Sequence, residues 1–532
     1  MAIPEKLESR QLNIAGKKKS INLIDSIESR KTDELVISIC GAVGSGVSTV
    51  SDEIYKVLKS VGYTVKIIKL SKHITDFFRI DDIIDQYERI KTLQEKGNFI
   101  RENYGNDILS QLAIRDIFSF RDETFHAEQS EYEDIGEQLR QKRRHVTIID
   151  SLKNPQEVDL LKKVYGNMFY LFGVLCNDNL RKERLIKKGM NDANAADLMQ
   201  RDKEDKESHG QQLLKTLQHA DFFIRNNRHN ISSIEKPIKR FIDLILGQNN
   251  ITPTINEFGM YIAESSARRS GCISRQVGAS ILTEEGDIVS TGRNDVPKPL
   301  GGLYGEEDGE DDCRCFRHFD HSCANQKNKD TIFNKIEQLI IAKTSEVEGI
   351  AGRSQEVASQ IISSLKRDSE IKDLIEYSRA VHAEMDAITS AARNGNYSLR
   401  GTILFSTTFP CHHCARHIVA AGIKKVYYIE PYEKSLATKL HSDAIALDSQ
   451  PSSPGKDKVI FTHFEGVAPK QYLHLFSCNN RKKDGKLINV DLISQHPTRP
   501  SFLDTFIEYE SKVVEYVNSL INQPHGQNNI GE

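Results

Sequence analysis

Three residues with metal-binding side chains and one free carboxylate constrain this chain more than any other feature. They lie in two short motifs, His382-Ala383-Glu384 and Pro410-Cys411-His412-His413-Cys414, with a predicted strand between them. His382, Cys411 and Cys414 are ligands of the kind that zinc prefers, and three ligands leave the fourth position of a tetrahedral site open. A structural zinc site would close that position, so the pattern predicts a catalytic site. The fold must therefore bring the starts of two predicted helices together.

The order of the two motifs indicates the chemistry. His-x-Glu followed by Pro-Cys-x-x-Cys is the signature of zinc-dependent nucleobase deaminases, in which the glutamate moves protons and is not a ligand. Zinc lowers the pKa of bound water to about 7, and we expect Glu384 to carry protons to N3 of a cytosine ring and to the leaving ammonia. Cys-x-x-Cys alone would equally fit a redox pair or half a zinc finger. His412, His413 and His417 are interpreted as a polar helix face rather than as ligands.

Composition sets the class of protein. A chain of 532 residues predicts at least two domains, because a single hydrophobic core does not grow to that size. The formal net charge of −3 gives no general reason to expect nucleic-acid binding. The chain shows no signal peptide and no apolar run long enough for a membrane span, so we expect a cytoplasmic protein. Its 9 cysteines, several near histidines, favour metal sites over disulfides.

Predicted strands and helices alternate in the N-terminal half, which favours an α/β class with a doubly wound parallel sheet. The first strand (34–40) leads into a glycine-rich turn and a predicted helix (49–62), the context of a phosphate-binding P-loop. We expect Asp150, at the end of a later strand, to bind Mg²⁺. The expected phosphate-binding residues are Gly41, Gly44, Ser45, Gly46, Val47, Ser48 and Thr49.

Alternatives remain open for the predicted P-loop. Val47 stands where Gly-x4-Gly-Lys-Ser/Thr has the lysine that reaches the terminal phosphates, which argues against kinase activity. The turn could simply pack a helix onto a sheet, and Asp150 could cap the next turn. We favour a sensor or regulatory role, with ATP, GTP or another nucleotide as ligand. The arginines between 76 and 141 are interpreted as a solvated helix face, although a nucleoside-monophosphate-kinase-like domain would place some of them at a substrate pocket.

An insertion over 301–330 is rich in glycine, acidic residues and cysteine. It predicts a second, structural zinc site, with buried reduced thiols and a surface histidine pair as the alternative. The candidate ligands are Cys272, Cys313, Cys315, His318, His321 and Cys323.

Five segments make up the predicted organisation of the chain. They are an N-terminal arm (1–33), the P-loop kinase-like domain (34–227), a linker helix (228–256), a deaminase domain (257–480) and a C-terminal tail (481–532).

Further motifs resemble the deoxycytidylate deaminase family, in the order of that family. They lie at 270–279, 290–294, 382–384, 391–395 and 410–414. The resemblance implies a cytidine-deaminase-like α/β/α domain, a zinc-dependent homo-oligomer that is often a hexamer, and deoxyribose binding by Asn294. Asp295 and Val296 follow Asn294 in place of the usual Asn-Gly turn, so allosteric control by dCTP or dTTP is not carried over.

The fusion to a P-loop domain resembles the bacterial anti-phage dCTP/dCMP deaminases, as do the segments 430–443 and 464–469. This resemblance implies conversion of dCTP and dCMP to uracil nucleotides, starvation of phage DNA synthesis, and restraint by a small RNA before infection.

One alternative is a polynucleotide deaminase acting on tRNA or single-stranded DNA, which would need a basic groove. Another is a nucleotide-sensing regulatory protein whose zinc centre is structural and whose action does not depend on Glu384.

Overall fold

The computed structural model describes residues 24, 27, 31–80, 83–126, 144–203, 211–227, 232–318, 320–369, 371, 374–395, 397–432, 434–447, 457–477 and 481–522. Most of the predicted N-terminal arm (1–33) therefore lies outside the described residues. Within them, no helix combines the length and apolar character that crossing a bilayer requires.

Strands are numbered in chain order. They are β1 (Lys31–Thr32), β2 (Leu35–Gly41), β3 (Thr64–Lys69), β4 (His145–Asp150), β5 (Phe169–Leu175), β6 (Phe222–Arg225), β7 (Gly278–Leu282), β8 (Ile288–Arg293), β9 (Ile403–Thr408), β10 (Lys425–Glu430), β11 (Ile445–Leu447), β12 (Val459–His463), β13 (Gly466–Val467), β14 (Lys482–Lys483), β15 (Lys486–Leu487) and β16 (Ser501–Phe502).

Helices are numbered in the same way. They are α1 (Val47–Ser60), α2 (Leu70–Phe78), α3 (Gln86–Tyr104), α4 (Ile108–His126), α5 (Pro155–Tyr165), α6 (Asp178–Lys187), α7 (Asp192–Lys203), α8 (Leu213–Gln218), α9 (Ser232–Ile245), α10 (Ile255–Ala267), α11 (Cys315–His318), α12 (Ala324–Thr344), α13 (Ser354–Asp368), α14 (Ala383–Asn394), α15 (His412–Ala420), α16 (Ala437–Leu440), α17 (Pro469–Phe476) and α18 (Leu503–Asn522).

The first sheet has the strand order β13-β6-β5-β2-β4-β3, and β2 to β6 run parallel. Alternate residues of β2 lie in different cores, because successive side chains of a strand point to opposite faces. Leu35, Ile37 and Ile39 belong to the core that contains α1 and α9. Val36 and Cys40 belong to the core that contains α4 and α5. Helices cover both faces, which confirms the predicted doubly wound parallel sheet.

The second sheet has the order β11-β12-β10-β9-β7-β8. β7 runs antiparallel to β8 and β9, whereas β9, β10, β12 and β11 are parallel to one another. On one face, Ile281 and Leu404 pack in the core that contains α14 and α15. On the other face, Phe405 packs in the core that contains α10. This arrangement confirms the predicted α/β/α layering of the C-terminal half.

The C-terminal part of the chain completes the N-terminal sheet. β13 pairs antiparallel with β6, where Gly466 lies opposite Phe223. β16 pairs with β1, and α18 packs on α4 and α5. Arg225 at the end of β6 also donates to Thr462 of β12 at 2.8 Å. The two sheets are therefore joined by strand pairing and by side chains, although they differ in topology.

Two arginines of the helical segment 76–141 are buried, so the prediction of a solvated face was wrong for them. Arg101 pairs with Glu157 at 2.9 Å, and its side chain is 3% exposed. Arg121 pairs with both Glu34 and Glu510, and its side chain is 8% exposed. Their partners lie on other elements, and a charge pattern within one helix carries no information about such contacts.

Candidate active site

Two helix starts meet near the carboxyl end of β9, as the motif spacing requires. His382 is the N-cap residue of α14, and Cys411 is the N-cap residue of α15. Cys411 Sγ accepts the backbone N–H of Cys414 at 3.5 Å, so the first turn of α15 holds both thiols on one side. α14 approaches β8 closely, because a Cβ at Gly292 would lie 2.1 Å from the carbonyl oxygen of Ala383. Only glycine permits that contact.

His382, Cys411 and Cys414 form a compact cluster. The Nδ1 atom of His382 lies 3.3 Å from Cys411 Sγ and 3.4 Å from Cys414 Sγ. All three ligand atoms lie within 4.8 Å of one another. Both cysteines are buried. Two sulfur ligands and one imidazole with bonds of about 2.0–2.3 Å suit a single zinc ion, so the residues present fit the predicted metal.

The surroundings shift the pKa values of the two thiols in opposite directions. A hydrogen bond from the Cys414 thiol, aided by His382, lowers the pKa of Cys411 to about 3. The same hydrogen bond and burial raise the pKa of Cys414 well above its usual range. Zinc binding requires both cysteines as thiolates, so it would release any thiol proton that the cluster still holds.

Glu384 is a buried carboxylate beside this cluster. Its Oε2 accepts from Cys414 Sγ at 3.4 Å, and its Oε1 accepts from the hydroxyl of Ser406 at 3.2 Å. The residue is 4% exposed. Burial is the main cause that raises the pKa of Glu384. A carboxyl group of raised pKa that is held next to a metal cluster is suited to proton transfer near neutral pH.

The side chain of Asn294 holds a loop of the protein itself. Its Oδ1 accepts the backbone N–H of Val277 at 2.7 Å, and its Nδ2 donates to the carbonyl of Arg275 at 2.7 Å. Both polar ends of the amide are thus used to fix the segment before β7. Deoxyribose binding by Asn294 stays a prediction.

The family model for the cytidine and deoxycytidylate deaminase zinc-binding region matches residues 253–430, a range that includes His382, Glu384 and both cysteines. The chain carries this deaminase region. Its sequence is similar to the deoxycytidylate deaminase of Enterobacteria phage T2, with 29% identity over 176 residues, 33% of this chain and 80% of the phage protein.

Two solved structures are each similar to less than half of the chain. The dCMP deaminase of cyanophage S-TIM5 in complex with dCMP and dUMP covers 40% of this chain and 99% of its own, with 19% identity and a TM-score of 0.22. A shikimate kinase from Acinetobacter baumannii covers 43% of this chain and 99% of its own, with 12% identity and a TM-score of 0.23.

Within the deaminase region, the predicted second zinc ligands do not meet as a group. The six candidate ligands are Cys272, Cys313, Cys315, His318, His321 and Cys323. Among the residues that the structure describes, no three of these six have ligand atoms that all lie within 4.8 Å of one another. Cys323 Sγ lies 3.5 Å from Ser274 Oγ, and His321 Nδ1 contacts the carbonyl oxygen of Phe316. The second zinc stays a prediction.

The glycine-rich turn lies between β2 and α1 as expected. Gly46 is the N-cap residue of α1 with φ of 87°, in the left-handed region that favours glycine. A cavity of about 780 Å³ opens at this turn, at the carboxyl ends of β2 and β4. Its lining includes Gly41, Gly44, Gly46, Val47, Ser48, Thr49 and Asp150, whereas Ser45 is buried. Their binding of phosphate or Mg²⁺ stays a prediction.

Lys153 is a residue that the sequence reasoning missed. Its Nζ donates to the carbonyl of Gly41 at 2.8 Å and to Asp202 Oδ1 at 2.9 Å. Asp202 Oδ2 in turn accepts the N–H of Val43 at 2.6 Å. An ammonium group therefore lies at the turn although Val47 replaces the motif lysine. Its position just after the strand that ends in Asp150 was the available signal.

Proposed function

We propose that the chain deaminates free deoxycytidine nucleotides, converting dCMP to dUMP and dCTP to dUTP. The observation that carries the proposal is the buried carboxylate of Glu384, 3.4 Å from one thiol of the His382–Cys411–Cys414 cluster. The phage T2 relative, a deoxycytidylate deaminase, supports the choice of nucleotide. The net charge of −3 favours a mononucleotide over a polynucleotide substrate.

In the proposed reaction, His382, Cys411 and Cys414 would hold zinc. A bound zinc ion supplies Lewis acidity, which makes water a nucleophile near neutral pH. Glu384 accepts a proton from the attacking water and delivers it to N3 of the cytosine ring. As the new C4–oxygen bond forms and the C4–nitrogen bond breaks, Glu384 carries the second water proton to the amino group, which leaves as ammonia. Ser406 holds the carboxylate in place meanwhile.

The direct test is incubation of the purified full-length chain with dCMP, dCTP, CTP and a cytosine-containing single-stranded oligonucleotide. We expect ammonia and the matching uracil nucleotide from the two deoxynucleotides. Turnover of the oligonucleotide alone would favour the polynucleotide alternative. If none of the four compounds releases ammonia, the proposal is wrong.

We further propose that this activity protects bacteria from phage by depleting dCTP and dCMP. The proposal rests on the resemblance over 430–443 and 464–469, which also implies a small RNA that restrains the protein before infection. We expect deoxycytidine nucleotides to fall after infection in cells that carry the protein and to persist with Glu384→Ala. Equal nucleotide levels in both strains, measured by mass spectrometry, would contradict the role.

Ser406→Ala is expected to shift the pH dependence of the reaction. The hydroxyl stabilises the ionised form of Glu384, and a hydrogen bond to a charged group contributes about 1.5–3 kcal/mol. Its loss raises the pKa of Glu384 further above that of an ordinary carboxyl group, so the carboxylate needed as base is lost at a higher pH. The acidic limb of kcat/KM for dCMP should therefore move upward by about one pH unit. An unchanged acidic limb of kcat/KM would show that Ser406 does not affect the pKa of Glu384.

A nucleotide-binding role for the N-terminal half rests on a separate observation, the position of Lys153. We propose that its ammonium group supplies the charge that Val47 lacks and that the turn binds the phosphates of a nucleoside triphosphate. Arg184 lies at the same turn and donates to the carbonyl of Ser45 at 3.1 Å. This site would serve regulation of the deaminase region rather than phosphoryl transfer.

Lys153→Ala is expected to weaken binding of a non-hydrolysable ATP analogue by about tenfold or more, because a charge-assisted hydrogen bond contributes about 1.5–3 kcal/mol. Isothermal titration calorimetry with the full-length chain measures the change. Lys163→Ala, an exposed lysine on α5, is the matched control and should bind like the wild type. Equal affinity of the two variants would contradict the role of Lys153.

A further inference from the structure

Three metal-binding side chains outside the catalytic cluster also lie together in the deaminase region. The ligand atoms of Glu376, His412 and His413 are all within 4.8 Å of one another. We propose that these residues bind a second divalent metal ion, of the zinc class, beside the first turn of α15. The proposed deamination chemistry uses none of them, and the sequence alone predicts only a polar helix face for both histidines.

The histidine nitrogens carry the first part of the argument. Nδ1 of His412 and Nε2 of His413 are shielded from solvent and have no hydrogen-bond partner among the described residues. The Nε2 atom of His413 lies 3.6 Å from Glu376 Oε1, beyond the range of about 2.7–3.2 Å for a hydrogen bond. A shielded nitrogen without a partner costs free energy. An ion at this position would give such nitrogens a ligand bond.

The carboxylate is held in place by its own loop. The backbone N–H of Ile375 donates to Glu376 Oε2 at 2.8 Å, which leaves Oε1 on the side of His413. Hydrogen bonds from the N–H groups of Glu376 and Ile375 lower the pKa of the carboxyl group, with a smaller contribution from His413. These hydrogen bonds therefore favour the ionised form of the proposed ligand.

Contacts on both sides fix the loop that carries Glu376. Asn325 of α12 donates to the carbonyl of Leu374 at 2.9 Å, and Arg379 donates to the carbonyl of Cys313 at 3.0 Å. The histidines are fixed in turn by α15, whose first turn contains the thiols of the catalytic cluster. Ligands on rigid supports lose little freedom when an ion binds.

The donor set selects the class of ion. Two imidazoles and one carboxylate bind zinc, iron or cobalt, whereas magnesium and calcium take oxygen ligands. Bonds of about 2.0–2.2 Å place the ligands of one ion about 3–4 Å apart, which agrees with the observed grouping. The side chains of His413 and Glu376 are 34% and 45% exposed, so an ion can enter from solvent.

The test is metal uptake by the full-length chain, which is independent of whether the chain deaminates any nucleotide. Wild-type protein is titrated with Co²⁺ and the bound metal is counted after equilibrium dialysis. We expect Glu376→Gln and His413→Asn each to take up one ion fewer per chain, or to bind it at least tenfold more weakly. Both should keep the thiolate-to-cobalt absorption band of the cysteine cluster, because the new site contains no sulfur.

His417→Asn is the matched control, since it changes an exposed histidine on the same helix. It should bind as much cobalt as the wild type. The proposal fails if both ligand variants bind the same number of ions with the same affinity as the wild type. It also fails if they lose the thiolate band instead of the sulfur-free ion, because the missing ion would then belong to a site with cysteine ligands.

Discussion

Glu384→Gln is expected to lower kcat for dCMP by at least about 100-fold while zinc stays bound. The substitution keeps the size of the side chain but removes the group that accepts and returns protons, and positioned acid–base groups contribute about 10²–10⁴-fold. Glu384 lies beside the group of side chains proposed to hold zinc, which consists of His382, Cys411 and Cys414 and does not include Glu384. Steady-state kinetics and zinc analysis of the same preparation measure both outcomes.

The two readouts separate proton transfer from metal binding. Cys414→Ala should lose zinc together with activity, since it removes a ligand, whereas Glu384→Gln should lose activity alone. If Glu384→Gln retains wild-type turnover, the carboxylate is not the proton carrier and the regulatory alternative with a structural zinc centre gains support. If it loses zinc, Glu384 acts on the metal site itself.

The grouping of His382, Cys411 and Cys414 could be predicted because its geometry is local. His382 and Glu384 are two residues apart at a helix start, and Cys411 and Cys414 are three apart within one helical turn. Such spacings fix side-chain directions once the helices form. The partners of Asn294 could not be predicted, because they depend on the path of a loop seventeen residues earlier. Sequence spacing likewise gave no sign that Glu376 approaches His413.

The doubly wound parallel sheet of the N-terminal half could be predicted from strand patterns, but the connection between the two halves could not. β-branched runs such as β2 and β4 indicated a parallel sheet covered on both faces. β13 is a strand of two residues, Gly466 and Val467, and it completes a sheet whose other strands lie more than 200 residues earlier. A segment so short has no periodicity to detect. The valine at position 47 likewise gave no indication of an ammonium group at the turn. That group comes from Lys153, which lies on a different segment of the chain.

The contacts of the C-terminal helix α18 could not be predicted either, because its partners are distant in the sequence. The segment predicted as a tail (481–532) contains α18, and this helix packs on α4 and α5. Its Glu510 is completely buried and pairs with Arg121, which also pairs with Glu34 before β2. Three charged residues from distant parts of the sequence thus meet in one core. The tail is therefore a structural component of the N-terminal half.

Glu510→Gln is expected to lower the free energy of unfolding of the N-terminal half by roughly 3 kcal/mol. Removal of one partner from a buried ion pair typically costs about 3–5 kcal/mol, because the remaining charge keeps its desolvation penalty. Arg121 would retain Glu34 at 2.9 Å, which places the expected loss at the lower end of that range. Urea denaturation followed by circular dichroism measures the change. Hydrogen exchange should show earlier exposure of amides in α18 and α4.

Lys512→Ala on the same helix supplies the control, since it breaks an exposed pair with Glu508 and should leave the urea midpoint unchanged. The zinc content of Glu510→Gln should equal that of the wild type, because the proposed metal ligands lie at helix starts beside the second sheet, whereas Glu510 packs on helices of the first. An unaltered midpoint in Glu510→Gln would mean that the buried charges contribute nothing net and that apolar contacts alone dock α18. Lower stability together with zinc loss would instead mean that the interlocked sheets unfold as one unit, since β13 and Arg225 join them.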